Sequence, residues 1–114
     1  MDKINELPQG YNYRPLPFGF YIGLSEIEGN GLFTKLQLDP GYIIGISHKE
    51  CGDKLIRLPL GGFINHSENP NCRIIKSSYD CSEYILETIK GIDNEEITVD
   101  YYKSDCGLNK ICKN

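Results

Sequence analysis

The feature that most constrains this chain is the length of its apolar bursts. They fall at residues 18–25, 32–38, 42–47, 55–60, 72–77, 84–89 and 97–102. Each is strand-length and rich in β-branched or aromatic residues. Turn chemistry separates them: Glu28-Gly29-Asn30-Gly31, Asp39-Pro40-Gly41, Cys51-Gly52-Asp53, Gly61-Gly62, Glu68-Asn69-Pro70-Asn71 and Ile92-Asp93-Asn94. No long stretch repeats apolar residues at the helical period. Short strands at this spacing predict an all-β domain with little helix. The pattern does not say how the strands pair.

A chain of 114 residues makes one domain with a thin core. Residues 1–17, rich in Pro, Asn and Tyr and without a period, read as an extended N-terminal arm. Residues 18–102 carry the bursts and form the domain, and residues 103–114 form a C-terminal tail. No apolar run approaches the roughly 20 residues that cross a bilayer, which argues against a membrane. The polar start, Met1 to Glu6, lacks the pattern of a signal peptide. Both features predict an intracellular protein, cytoplasmic or, in a eukaryotic or viral setting, nuclear. A net charge of −4 argues against a broad phosphate-binding surface, and so against direct nucleic-acid binding. It favours a basic partner such as a Lys/Arg-rich peptide. Five cysteines at irregular spacing argue against a disulfide framework.

Three segments concentrate polar chemistry. In Glu28-Gly29-Asn30-Gly31-Leu32-Phe33, Asn-Gly between apolar runs is a strong hairpin signal. The same glycines also suit a loop whose bare backbone lets a ligand come close. Gly61-Gly62-Phe63-Ile64-Asn65-His66-Ser67-Glu68-Asn69-Pro70-Asn71-Cys72 brings the side-chain donors and acceptors of Asn65, His66, Ser67, Asn69 and Asn71 within a few residues. Taken alone it is a polar turn with a hydrogen-bonded histidine, but wherever it is buried it must pair with backbone or ligand. Asn94-Glu95-Glu96-Ile97-Thr98-Val99-Asp100-Tyr101-Tyr102 reads as an amphipathic strand. Alternation puts Ile97, Val99 and Tyr101 on its apolar face, where a tyrosine buries its ring and finds a partner for its hydroxyl.

In this order the segments resemble the signature of SET-domain lysine methyltransferases. That family has a Gly-x-Gly-Leu/Phe loop, then Asn-His-Ser-x-x-Pro-Asn, then Gly-Glu-Glu-Leu-Thr-x-Asp-Tyr. The resemblance runs from about Phe18 to Tyr102 and is nearest the small bacterial and viral members. It implies a β-clip of small curved sheets around a pseudoknot, with the Asn65 segment lying against the Tyr101 strand. It implies S-adenosylmethionine as cofactor, with Gly29, Asn30, Gly31, Leu32, Asn65, His66 and Tyr101 at its site. It implies Tyr101 as the catalytic residue, at the centre of a narrow channel joining cofactor and lysine. The partner would be a lysine-containing protein or peptide, basic or histone-like. The alternative is a SET-fold module without turnover that binds such a peptide or the cofactor.

Departures from the family are informative. Asn94 stands where the family has Gly, and asparagine tolerates left-handed backbone. Val99 replaces a bulkier aromatic found in many members, which leaves room for higher methylation. The tail resembles a degenerate post-SET zinc module, but Ser104 and Glu68 replace two of its cysteines. Cys106, Cys112 and Cys72 fall short of the four ligands structural zinc requires, so no metal is expected. The tail could still cover the adenine with Tyr102, Leu108 or Ile111. The stretch between Ile46 and Phe63 is short where larger members build a wall of the peptide groove. Weak peptide binding, use of the arm, or a homodimer would each answer that.

Overall fold

The computed structural model describes residues 15–103. Most of the expected arm and tail, with Cys106, Leu108, Ile111 and Cys112, therefore lies outside the described residues. Within them the chain forms ten strands: β1 Phe20–Leu24, β2 Asn30–Thr34, β3 Gln37–Leu38, β4 Ile43–Cys51, β5 Lys54–Arg57, β6 Asn65–His66, β7 Cys72–Lys76, β8 Glu83–Thr88, β9 Ile92–Asp93 and β10 Glu96–Val99. Helical structure among these residues is confined to short 3₁₀ turns, including Pro59–Gly61 and Tyr101–Lys103. The fold is the all-β one that the bursts predict.

The strands form three small sheets, with orders β1-β2-β10-β6, β3-β9 and β5-β4-β8-β7. Three expected bursts change at their ends for local reasons. β4 runs past Ser47 to Cys51, because its hairpin to β5 closes at Gly52, where φ is +65°. Its polar end gives no apolar signal. The burst at 32–38 divides at Thr34, whose Oγ1 donates to the Gly19 carbonyl at 3.0 Å and accepts from Leu36 N–H at 3.1 Å. The last burst ends as a strand at Val99, and Tyr101 opens a 3₁₀ turn instead of continuing the alternation. Nor is the polar face of β10 left to solvent: Thr98 is buried like Ile97 and Val99, and its hydroxyl accepts the Asn71 N–H at 3.3 Å.

Leu32, Cys72, Ile74, Tyr84, Leu86, Ile97 and Val99 are the fully buried centre of one core cluster. Each large apolar side chain there contributes about 1.5–3 kcal/mol through removal from water. Leu32 of the expected cofactor loop belongs to this core. So does Val99, the position weighed for methylation state.

Two contacts bring the second and third polar segments together. β6 pairs in parallel with β10, Asn65 opposite Thr98 and His66 opposite Val99. Asn71 then acts as a piece of strand: its Nδ2 donates to the Glu96 carbonyl at 2.7 Å, and its Oδ1 accepts from Thr98 N–H at 2.9 Å. The Asn65 segment therefore lies along β10, as the resemblance implies.

Candidate functional site

The first polar segment is a hairpin, but its turn precedes the Asn-Gly pair. Ser25 N–H donates to the Gly29 carbonyl at 2.8 Å, and Gly29 alone of these residues takes a positive φ, +49°. The Ser25 hydroxyl accepts from Ile27 N–H at 2.9 Å and Glu28 N–H at 3.3 Å, which fixes the turn early. Asn30 and Gly31 already pair as strand, opposite Leu24 and Gly23. Around Gly29 nothing lies within 4 Å of where a Cβ would stand. Gly31 differs, because a Cβ there would strike the Glu96 carboxylate and come within 3.1 Å of the Ser25 Cβ.

Asn65 ties this hairpin to β10. Its Nδ2 faces the Glu28 carbonyl at 3.1 Å, the Asn30 carbonyl at 3.3 Å and Glu96 Oε2 at 2.9 Å. The Ser25 hydroxyl also lies 2.9 and 2.8 Å from the two Glu96 oxygens and donates to that carboxylate. Glu96 thus joins loop, hairpin and Asn65 in one network.

His66 carries the network to Tyr101. Its Nδ1 accepts the Tyr101 N–H at 3.1 Å, which places the ring proton on Nε2. The nearest Asp100 oxygen is 3.9 Å away, too far to compete. The His66 ring sits between Tyr101, 5.0 Å away and tilted, and Tyr102, 5.3 Å away and edge-on. Tyr102 is otherwise exposed. The half-buried Tyr101 donates its hydroxyl proton to the Ile64 carbonyl at 2.7 Å. That is the hydroxyl partner expected of it, found one residue before Asn65.

Of the expected site residues, Asn30, Asn65, His66 and Tyr101 form one connected group, with Gly29 between the two carbonyls that Asn65 bonds. Gly31 backs it against Glu96, and Leu32 lies beneath it in the core. Sequence reasoning missed Glu96 and Ser25. A glutamate in a polar strand reads as solvated, and no local signal couples it to a serine 71 residues earlier. The only sequence trace of the network is Gly31, which leaves the carboxylate its room.

The nearby Cys72 is not a nucleophile. Burial, and then the Glu95 charge, push its thiol up to about 12. Among the described residues no group of three or more His, Cys, Asp or Glu side chains could hold a metal. Nor is any helix there long and apolar enough to cross a membrane.

Residues 6–102 match the SET domain family. Among solved structures, a Plasmodium falciparum protein described as a candidate histone methyltransferase superposes with a TM-score of 0.60. The match covers 78% of this chain and 97% of that one at 24% identity, a likeness of fold. No curated protein matches the chain. With a family match spanning nearly all the described residues, and the pairing of Asn65–His66 with β10 in place, the chain belongs to the SET-domain family.

Proposed function

We propose that this protein transfers a methyl group from S-adenosylmethionine to the side-chain amine of a lysine in another protein. The observation that carries the reading is the connected group formed by the Glu28 and Asn30 carbonyls on either side of Gly29, Asn65, His66 and Tyr101, drawn from three distant parts of the chain by hydrogen bonds. Family membership sets the reaction class, and the group supplies residues suited to it.

The residues present fit the cofactor. Open space at Gly29 admits a ligand against the backbone. Asn65 and His66 are half-buried, so they can be reached from solvent yet are held in place. The Glu96 carboxylate beside Asn65 and the Asp100 carboxylate beside His66 add negative charge, which suits a cationic ligand. When bound, the cofactor supplies an electrophilic methyl group on a sulfonium.

The chain's own residues would then align and desolvate. In-line displacement depends on close approach and orientation. Only the neutral amine attacks, and with a lysine pKa of about 10.4 its deprotonation at neutral pH costs roughly 4 kcal/mol. An apolar channel of the kind the resemblance implies would lower that cost by disfavouring the ammonium form. Tyr101 suits orientation rather than proton removal. Its hydroxyl already gives its proton to the Ile64 carbonyl, so toward a second group it can only accept. An accepting oxygen can hold an amine N–H, and it makes weak C–H···O contacts with a polarised methyl group. A net charge of −4 suits a basic, histone-like partner.

The test is incubation with isotope-labelled S-adenosylmethionine and a mixture of core histones and lysine-rich peptides, read by mass spectrometry. Label on lysine, absent with the Tyr101→Phe protein, supports the reading. No label on any substrate, with wild-type protein that is folded, opposes it.

A further inference from the structure

We infer that strand β1 is the seam of a twofold homodimer, in which β1 of one copy pairs antiparallel with β1 of a second copy through the main-chain groups of Ile22 and Leu24. Among the described residues β1 is an outer strand, paired with β2 alone. Its hydrogen bonds to β2 alternate along the chain. The Gly19 carbonyl accepts Lys35 N–H at 2.8 Å, and Ser25 N–H donates to the Gly29 carbonyl at 2.8 Å, so the odd-numbered residues face β2. Ile22 and Leu24 therefore turn N–H and C=O outward, and no described residue bonds them. Phe20 N–H is already taken, by the Pro17 carbonyl at 3.1 Å.

An open edge invites another strand, and soluble proteins blunt such edges with charge, proline or a bulge. The outer strands of the other large sheet do so: β5 carries Lys54 and Arg57, and β7 carries Arg73 and Lys76. β1, Phe20-Tyr21-Ile22-Gly23-Leu24, has no charge, no proline and an unbroken register with β2. The surface around it is apolar too. Phe18, Tyr21, Ile22, Leu24 and Ile27 are all exposed, Leu24 at 86%.

The occupant this edge fits is a second copy. A basic peptide finds no charge to meet on it, whereas β1 is itself an uncharged strand of matching length. One antiparallel register satisfies all the outward groups together. With Gly23 facing Gly23 of the second copy, Ile22 stands opposite Leu24 of that copy and exchanges both N–H···O=C bonds with it, and the twofold axis repeats the exchange. Glycine at the axis admits the close approach of a non-hydrogen-bonded pair, while Ile22 and Leu24 pack across the seam. The exposed apolar side chains leave roughly 500 Å² open on one copy. Two copies meeting there remove about 1,000 Å² from water, the size at which specific interfaces begin. A twofold seam is closed, so assembly stops at two chains.

The experiment is sedimentation velocity on the full chain, from micromolar to millimolar concentration, with Leu24→Lys and Leu24→Pro beside the wild type. The wild type is expected at twice the mass of one chain. Leu24→Lys sets a cation against an apolar strand, and Leu24→Pro removes a seam N–H that β2 does not use. Each should raise the dimer's dissociation constant at least about tenfold. Because Leu24 is exposed, both variants should keep the fold, which circular dichroism checks. Hydrogen exchange should be slow at the Ile22 amide in the wild type and fast in both variants. A wild type that stays a single chain at every concentration overturns the proposal. So does a dimer that both variants leave intact, or assembly that continues past two chains. Slow exchange at Ile22 in a single chain overturns it as well, and would assign the edge to residues 1–14 of the same chain.

Discussion

The main-chain N–H of Tyr101 donates to Nδ1 of His66 across 3.1 Å, joining residues 35 apart in the chain. This bond sets where β10 ends and the 3₁₀ turn carrying Tyr101 begins. It asks only for an acceptor at the δ position of residue 66. His66→Asn supplies such an acceptor, and His66→Gln sets its acceptor one atom too far. His66→Asn should therefore retain more turnover and a higher melting temperature than His66→Gln or His66→Ala, and the alanine protein should lose about 1 kcal/mol. Equal loss in all three would mean that this bond does not hold Tyr101.

Tyr101→Phe removes one hydroxyl that donates to Ile64 and leaves the ring against His66. Cofactor affinity should stay within about twofold, while turnover falls by about 100-fold, as it does when a reacting pair loses its alignment. Calorimetry and single-turnover kinetics on the same preparation separate the two. Near-normal turnover would remove Tyr101 from the reaction.

Asn71→Ala should be the most destabilising change in the Asn65 segment. Asn71 is buried, and its amide pairs with both the Glu96 carbonyl and Thr98 N–H. Truncation leaves two backbone groups of β10 unpaired at a cost of about 2–4 kcal/mol. Urea unfolding checks this. A loss below about 1 kcal/mol would mean water replaces the amide.

His48 makes stability depend on pH. It is 1% exposed, its Nδ1 bonds the Ser47 hydroxyl at 2.9 Å, and its Nε2 has no partner among the described residues. Burial, and then the charge of Arg57 opposite it on β5, lower its pKa from 6.5 to about 4. The unfolded chain therefore binds more protons than the folded one between those values. The stabilisation is fully present above pH 6.5 and is lost as the pH falls toward 4, by about 3 kcal/mol in all. His48→Asn keeps a partner for Ser47 and does not titrate. Urea midpoints across this range should fall less steeply with acid in His48→Asn than in the wild type. Parallel slopes would contradict the assignment.

Much of this was legible in the sequence, for physical reasons that differ by element. β1, β7 and β8 announce themselves, because strand-length apolar runs between turn residues have few alternatives. Asn94 behaves as its chemistry allows, taking a φ of +50° where the family has glycine. β6 and β9 span two residues each and carry no period to read. The alternation through Tyr101 fails because the strand ends at Val99 and Tyr101 opens a 3₁₀ turn, while Asn71 lies against Thr98 and buries it along with its apolar neighbours. The motif residues could be found by their order, but Ser25 and Glu96 could not. Their roles follow from a meeting of distant strands, and only Gly31 hints at it.

The most direct test of the account is calorimetric titration of the wild-type protein with S-adenosylmethionine. The account predicts saturable binding at one cofactor per chain, weakened by about tenfold or more in Asn65→Ala. Absence of binding up to millimolar cofactor by folded protein would contradict it.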